Sequence, residues 1–461
     1  MAYLVLDKFS IGLDLRKSPI TAPADSLRVL KNGIINAGSE IEKRRAFVKH
    51  CTAPGTIGLY GDGNEFVVFQ PGGSAGQRQD ITPYVKKYGI SGSGFKSLSS
   101  AQPSDQGYFT TFKNMSGTQE AYYKGSRVSV NGSYSRLFGS KMYLADGPNL
   151  RFSDILDPSK WDATTEPNQG AGFIDVTKAE LFGNRILAVE RYYDYLAVFG
   201  MSNIQLWSVD PDPKLNKLTQ ALGNTGIFAP NAISPFANGD VLYLAQTGVR
   251  SLRARDASNY AMTTDVGSPV DTYIRDKIRY MDYETLDLIN GVVEPKTGAF
   301  WLPLGSEIMV LSFFPSSKVS AWSIFDAPGK VDYIATNDYA LALRCGDDIY
   351  IYGGDYNQSA FDNCEVVVQT PYLDATKPAT VKVFQGFDAS VEGTWDVRYN
   401  LNPYRPDAWS KTATLQGETY TLGRLPMQGV GTHIALELRS TFNGRARISS
   451  LVVHFEGRSA E

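Results

Sequence analysis

The chain is 461 residues long, enough for a sizeable core and for more than one domain. Hydrophobic residues make up 43% and charged ones 20%, which excludes a disordered chain, while 43 Gly, 26 Tyr and 23 Phe favour a turn-rich, all-β protein. The 45 basic residues stand against 48 acidic ones, so a globally basic nucleic-acid binder is excluded and only local basic patches remain.

Three cysteines (Cys51, Cys345, Cys364) are too few for a disulfide framework and lack metal-ligand spacing, so reduced, buried thiols are expected. The opening MAYLVLDKFS has no basic region followed by an apolar core, so no secretory leader is expected. No apolar run has the length of a membrane span.

Residues 1–48 read as an N-terminal arm, a short helix and a hairpin. The arm, 10–23, is punctuated by Pro19 and Pro23. A helix is expected over 24–32, where Leu27 and Leu30 would share a face and Gly33 would stop it. Residues 34–36 and 40–48 then pair across Ala37-Gly38-Ser39, with Glu40, Glu42, Lys43, Arg44 and Arg45 on the second strand. That charge density suits an interface or, more simply, a solvated edge.

Residues 49–363 carry a repeated unit. Its fullest version is 181–210 (LFGNRILAVERYYDYLAVFGMSNIQLWSVD), and 57–69, 137–152, 241–252, 299–311 and 340–352 follow the same plan. Each pairs an apolar strand with another across a Gly, Asp, Ser or Asn turn. Successive units start roughly 40–60 residues apart, near the spacing of four-stranded propeller blades. A large antiparallel sandwich would also show strands and turns, but the number and likeness of the units favour a β-propeller of about six blades, or seven.

Within this region, 70–106 is rich in Gly, Ser and Gln and reads as a long excursion. Its Gly92-Ser93-Gly94-Phe95-Lys96-Ser97 is not a phosphate loop, because Phe95 separates the last Gly from Lys96. Residues 153–161 (SDILDPSKW) resemble the structural aspartate-box turn of sialidase propellers without its glycine. Helices are expected over 269–290. The first has Ser268 as N-cap, Pro269 at N1 and an apolar stripe of Val270, Tyr273, Ile274, Ile278 and Met281; the second, 284–290, is closed by Gly291. From about Asn363 the loops lengthen, and 364–461 reads as a C-terminal β-sandwich with strands near 365–370, 380–388, 394–400, 420–422, 433–440 and 446–455.

Catalytic signatures are scarce. The only histidines are His50, His433 and His454, the last two expected on neighbouring strands, and no spacing of His, Cys or Ser matches a metal or nucleophile motif. Neither a metal nor a cofactor is expected, and the chain reads as a non-enzyme. Carboxylate pairs for glycoside hydrolysis are a matter of spatial separation that sequence spacing does not reveal. Three basic spots stand out: Arg44 with Arg45; Arg250, Arg253 and Arg255 alternating on one expected strand, with Arg253 and Arg255 on one face; and Arg445 with Arg447 beside Gly444. Phosphate contact is the functional reading of each, and ion pairs or solvated faces the structural one.

Three stretches together resemble a known family: GLDLRKSPITAPADSLRVLKNGIINAGSEIEKRRAF at 12–47, YLADGPNLRFSDILDPSKWD at 143–162, and YLAVFGMSNIQLWSV at 195–209. Together with the helix after Gly267 and the closing strand pair over 433–455, they are similar to the nozzle, or packaged-DNA-stabilisation (tail tubular), proteins of short-tailed bacteriophages, most strongly over 12–47 and 137–280. The resemblance implies a structural virion protein made in the host bacterial cytoplasm, with no membrane contact. It further implies a homo-hexameric ring below the portal adaptor ring, tail needle, spike or fibre proteins as partners, and transient contact with genomic double-stranded DNA at ejection. Arg16, Lys17, Arg44, Arg45, Arg253, Arg255, Arg445 and Arg447 are then the candidate ring or DNA contacts. Residues 13–23 are expected to dock onto an adjacent ring component. The alternative is a carbohydrate-binding or glycoside-hydrolysing propeller. A WD40 scaffold would show regular Trp-Asp strand ends, and here only Trp161-Asp162 and Trp395-Asp396 occur, without the Gly-His partner.

Overall fold

The computed structural model describes residues 2–105, 107–162, 170–178, 183, 185–258, 265–356, 358–420 and 424–457. Seven small sheets stand around one axis, each an apolar segment folded back on itself across a polar turn. Blade 1 begins with Gly58–Asp62, blade 2 with Phe95–Ser104, blade 3 with Ser135–Phe138 and blade 4 with Ala188–Tyr192. Blades 5, 6 and 7 begin with Ile233–Phe236, Val292–Val293 and Tyr333–Thr336. These first strands are innermost, each meets the next, and the seventh meets the first, so the circle is closed. The chain is a seven-bladed β-propeller joined to a β-sandwich.

Closure uses the beginning of the chain. Phe47–Thr52 is the outer strand of blade 7, antiparallel to Asp348–Tyr352, so residues some 300 apart complete one sheet. Such non-local pairing removes the open seam a linear array of blades would leave. The seam between blades 7 and 1 is tight: a Cβ on Gly61 would lie 2.0 Å from the Thr336 carbonyl oxygen, so only glycine fits.

The sandwich is built from both ends of the chain. One sheet has the order Leu425–Gly431, Lys382–Glu392, Arg447–Gly457, Ile41–Lys43, Gly33–Ile35, and Ala2–Leu6 also pairs with Arg447–Gly457. The facing sheet runs Val29–Lys31, Val366–Gln369, Ala435–Ser440, Thr394–Asn400, Ala413–Gln416. Phe384, Trp395, Leu438, Ile448 and Val453 fill the space between them. The second sheet continues into blade 6, where Lys31 is paired with Ile324, giving one 11-stranded sheet. Asn32 fastens this joint. Its backbone sits at φ 54, and its side-chain oxygen accepts from the Asp326 N–H at 2.8 Å. Its side-chain nitrogen donates to Asp326 Oδ2 at 3.0 Å and to the Glu365 carbonyl at 2.8 Å. Asn tolerates the left-handed region better than most residues.

Residues 24–32 are not helical: Ser26–Leu27 and Val29–Lys31 are strands, and Leu27 and Leu30 are buried in an extended chain. Pairing with the Val366–Gln369 strand overrides a local helix pattern. Residues 1–48 are therefore not a separate unit, and 364–461 is not a sandwich by itself.

Nor is 70–106 an excursion. Val85–Ile90 lies parallel to Glu65–Pro71 and Arg78–Thr82 is outermost in blade 1, while Phe95–Ser104 opens blade 2. Ser97 and Ser100 are buried, whereas Gly72, Ser74, Gly92, Ser93 and Gly94 are exposed in the turns that join these strands. The strand expected at 420–422 falls partly on 421–423, which lie outside the described residues.

Among the described residues the α-helices are three: α1, Leu252–Ser258; α2, Asp271–Arg279; and α3, Tyr283–Leu288. α2 starts later than Ser268 and Pro269 suggest, with Val270 in the cap position and no side-chain cap bond. Ser268 Oγ instead accepts from the Asp265 N–H at 2.9 Å. Ile274 and Ile278 of the expected stripe are buried.

Finally, the arm lies on its own molecule. Leu13 and Asp14 are buried, and the Leu15 N–H donates to the Pro269 carbonyl at 2.9 Å. Gly12, at φ +60, sits so close to the outer strand of blade 6 that a Cβ would be 2.8 Å from the Ala321 Cβ. The buried part of the expected docking segment is thus already occupied, and only residues 16–21 of it are exposed.

Candidate functional site

The innermost strands enclose an axial chamber of about 190 Å³. Because successive residues of a strand point to opposite sides, every second residue of each innermost strand can contribute to it. Tyr60 comes from blade 1, Tyr134 and Arg136 from blade 3, Glu190 from blade 4 and Tyr333 from blade 7. Arg136 Nη2 lies 2.7 Å from Glu190 Oε1, which also accepts from the Arg191 N–H at 2.8 Å. Burial pushes the Glu190 carboxyl up, with the Arg136 charge and the Arg191 N–H opposing it. Burial is also the main reason the Tyr134 phenol is raised, and the Glu190 charge adds to it. Asn290 stitches blades 6 and 7, donating to the Ile334 carbonyl at 2.6 Å and accepting from the Ile334 N–H at 3.0 Å.

One mouth of the chamber is covered by α3. Its N-cap Asp282 accepts from the Thr285 N–H at 2.6 Å. Glu284 and Asp287 of α3, in the blade 5–6 connection, are ion-paired with Lys96 and Lys113 of blade 2, across the axis. Lys330 Nζ, from the loop before blade 7, donates to Thr285 Oγ1 at 3.2 Å, and Asn231 Nδ2 donates to the Asp287 carbonyl at 2.9 Å. Leu286 is the buried side of this helix.

The basic residues singled out by sequence do not gather into one surface. Arg16 holds Asp14 through Nη2 at 2.7 Å, and Lys17 is exposed on the same arm. Arg44 is buried, 3.1 Å from Asp362, with its guanidinium 4.6 Å from the centre of the Phe47 ring. Arg45 is half-buried, its N–H donating to the Tyr352 hydroxyl at 3.1 Å.

Arg253 and Arg255 are on α1, not on a strand, which corrects the expected shared face. Arg253 is exposed, whereas Arg255 is buried 3.2 Å from Asp265. Arg250 remains on the strand Gly248–Ser251, with Asp271 of α2 as a two-pronged partner at 2.8 Å. Arg445 and Arg447 do point to one place: they reach Glu42 and Glu40 at 3.2 Å, and both approach Glu392. Five of the eight residues therefore face carboxylates in their own chain.

The expected charged edge at 40–48 is also different from a solvated one. Lys43 is buried, with Nζ donating to the Asp362 and Phe442 carbonyls at 2.6 Å, and burial lowers its pKa. His454 lies in Arg447–Gly457 of one sheet, while His433 precedes the Ala435–Ser440 strand of the other, so the two are not on neighbouring strands. His454 Nε2 is 2.7 Å from Asp388 Oδ2. Cys51, Cys345 and Cys364 are free thiols raised by burial, the second to about 11 and the third to about 12. Among the described residues no group of three or more His, Cys, Asp or Glu is placed to hold a metal ion.

The chamber residues were not found from sequence. Their local trace is a charged residue in each of two short strands, Arg136 in Ser135–Phe138 and Glu190, beside Arg191, in Ala188–Tyr192. What brings them together is the ring, which no local pattern encodes.

The fold defines the class: a closed seven-bladed propeller joined to a sandwich through a shared sheet. No family model matches the chain, and no curated protein matches it either. Among solved structures it is similar to the extracellular domain of a one-component system from B. thetaiotaomicron, at 8% identity and a TM-score of 0.41, covering 86% of this chain. The chain spans 58% of the length of that protein. It is also similar to a chain of the mitotic checkpoint complex, at 11% identity and a TM-score of 0.34, covering 76% of this chain and 94% of that one. The assignment of the fold rests on the closed ring of sheets.

Proposed function

We propose that this protein is a structural subunit of a short-tailed phage tail, a wall element of the homo-hexameric nozzle ring that continues the portal and adaptor channel. The observation that carries the reading is the continuous sheet from blade 6 into the sandwich, locked by Asn32 and by N-terminal strands in both bodies. A subunit walling a pressurised conduit must transmit load without a loose joint, and shared strands supply that stiffness. The α3 cap means that DNA would pass through the hole of the ring, not through the propeller. Internal neutralisation of most of the candidate arginines suits a conduit, because many free Lys and Arg would retain DNA by counterion release.

Adaptor and needle, spike or fibre proteins are the partners in this reading, and the virion tail is the location. The test is electron microscopy of the recombinant chain mixed with its adaptor ring. Six copies closed on the portal axis are expected. A discrete monomer with no affinity for any ring would overturn the reading.

A further inference from the structure

Tyr60, Tyr134 and Tyr333 all line the axial chamber, and among the described residues none of their hydroxyls is hydrogen-bonded within the chain. All three side chains are half-buried, so their hydroxyls face the chamber open to water or to a ligand. The same space holds the Arg136–Glu190 pair, whose charges cancel at 2.7 Å. A chamber without net charge gives neither a free anion nor a free cation a Coulomb advantage. What it offers instead is hydrogen bonding in both senses. Phenols donate and accept, the remaining Arg136 N–H groups donate, and Glu190 accepts.

Tyrosine rings add apolar wall to these polar edges. A neutral hydroxyl also donates and accepts at one atom, so it matches this lining better than a group with one sense only. Ser99 and Asn231 line both the chamber and the crevice beside α3, so the chamber communicates with the surface there.

We infer that the axial chamber of the propeller is a binding site for a small neutral polyhydroxylated ligand, a monosaccharide or a polyol of similar size. The inference goes beyond the nozzle reading and does not depend on it.

The experiment is isothermal titration calorimetry on the full chain, with saturation-transfer NMR on the same samples. The probes are neutral hexoses, N-acetylhexosamines and linear polyols, with inorganic phosphate and glutamate as charged comparators. At least one neutral probe should bind saturably. The Tyr134→Phe/Tyr333→Phe double variant should weaken it about tenfold or more, since two hydrogen bonds are removed while the rings stay. The thermal midpoint of that variant should match the parent; should it fail to fold, the single Tyr60→Phe variant is read instead. Binding of no neutral probe, equal affinity in the variants, or preference for a charged comparator would overturn the inference. Ring formation by the same variants, read by microscopy, keeps failure here separate from failure of the nozzle reading.

Discussion

Asp14 is fully buried, yet three N–H donors of Arg16 converge on it: the backbone N at 3.0 Å, Nε at 3.0 Å and Nη2 at 2.7 Å. Burial alone would raise this carboxyl, but the Arg16 bonds, with the Arg16 and Arg28 charges, hold it below its ordinary value of 3.8. A carboxyl lowered in the folded state stabilises the fold above its ordinary value, and that contribution is lost as pH falls through the lowered one. Asp14→Asn should therefore cost about 1–3 kcal/mol at neutral pH, the scale of hydrogen bonds to a charged group. The cost should shrink as urea denaturation is repeated at pH values from the ordinary 3.8 downward. A cost independent of pH would assign the effect to packing.

At the scale of elements, α3 is six residues long and too short to persist without tertiary support. Its support is a set of side chains from the opposite side of the ring, Lys96 and Lys113, together with the buried Leu286. Partly exposed ion pairs contribute little to global stability, roughly 0–1 kcal/mol each, but they can dominate the opening of a small segment. The Lys96→Ala/Lys113→Ala variant should speed amide exchange over Tyr283–Leu288 while leaving the thermal midpoint nearly unchanged, and raised salt should act in the same direction on the parent. Unaltered exchange would mean that Leu286 packing alone holds the cap.

For the whole molecule, the decisive feature is that the first 52 residues belong to both bodies: strands of the sandwich and the closing strand of blade 7. Leu6, Phe9 and Leu13 are each 3% exposed or less. Returning three such side chains to water costs about 5 kcal/mol or more, a large part of the stability of an ordinary domain. Removing residues 1–23 should thus lower the thermal midpoint sharply or leave the chain insoluble. Melting at the parental temperature would instead fit the expectation that residues 13–23 dock onto an adjacent ring component.

Strand periodicity, Gly and Asn turns and the α2 stripe were legible along the chain, because each depends on residues a few positions apart. They were enough for an all-β propeller with a sandwich after it. The partner of each strand was not legible. Leu27 and Leu30 sit at helical spacing, but pairing with Leu13 and with Val368 makes them strand; the Gly- and Ser-rich 70–106 is blade because Val85–Ile90 and Arg78–Thr82 add to the Glu65–Pro71 strand, with most of the small residues in the turns. Arg255 reads as a free cation until Asp265 is brought beside it, and Arg136 and Glu190 meet only after the ring closes. Local preference wrote the strands, while blade number, closure and the contents of the axial chamber were decided by contacts across hundreds of residues, which only the assembled core makes favourable.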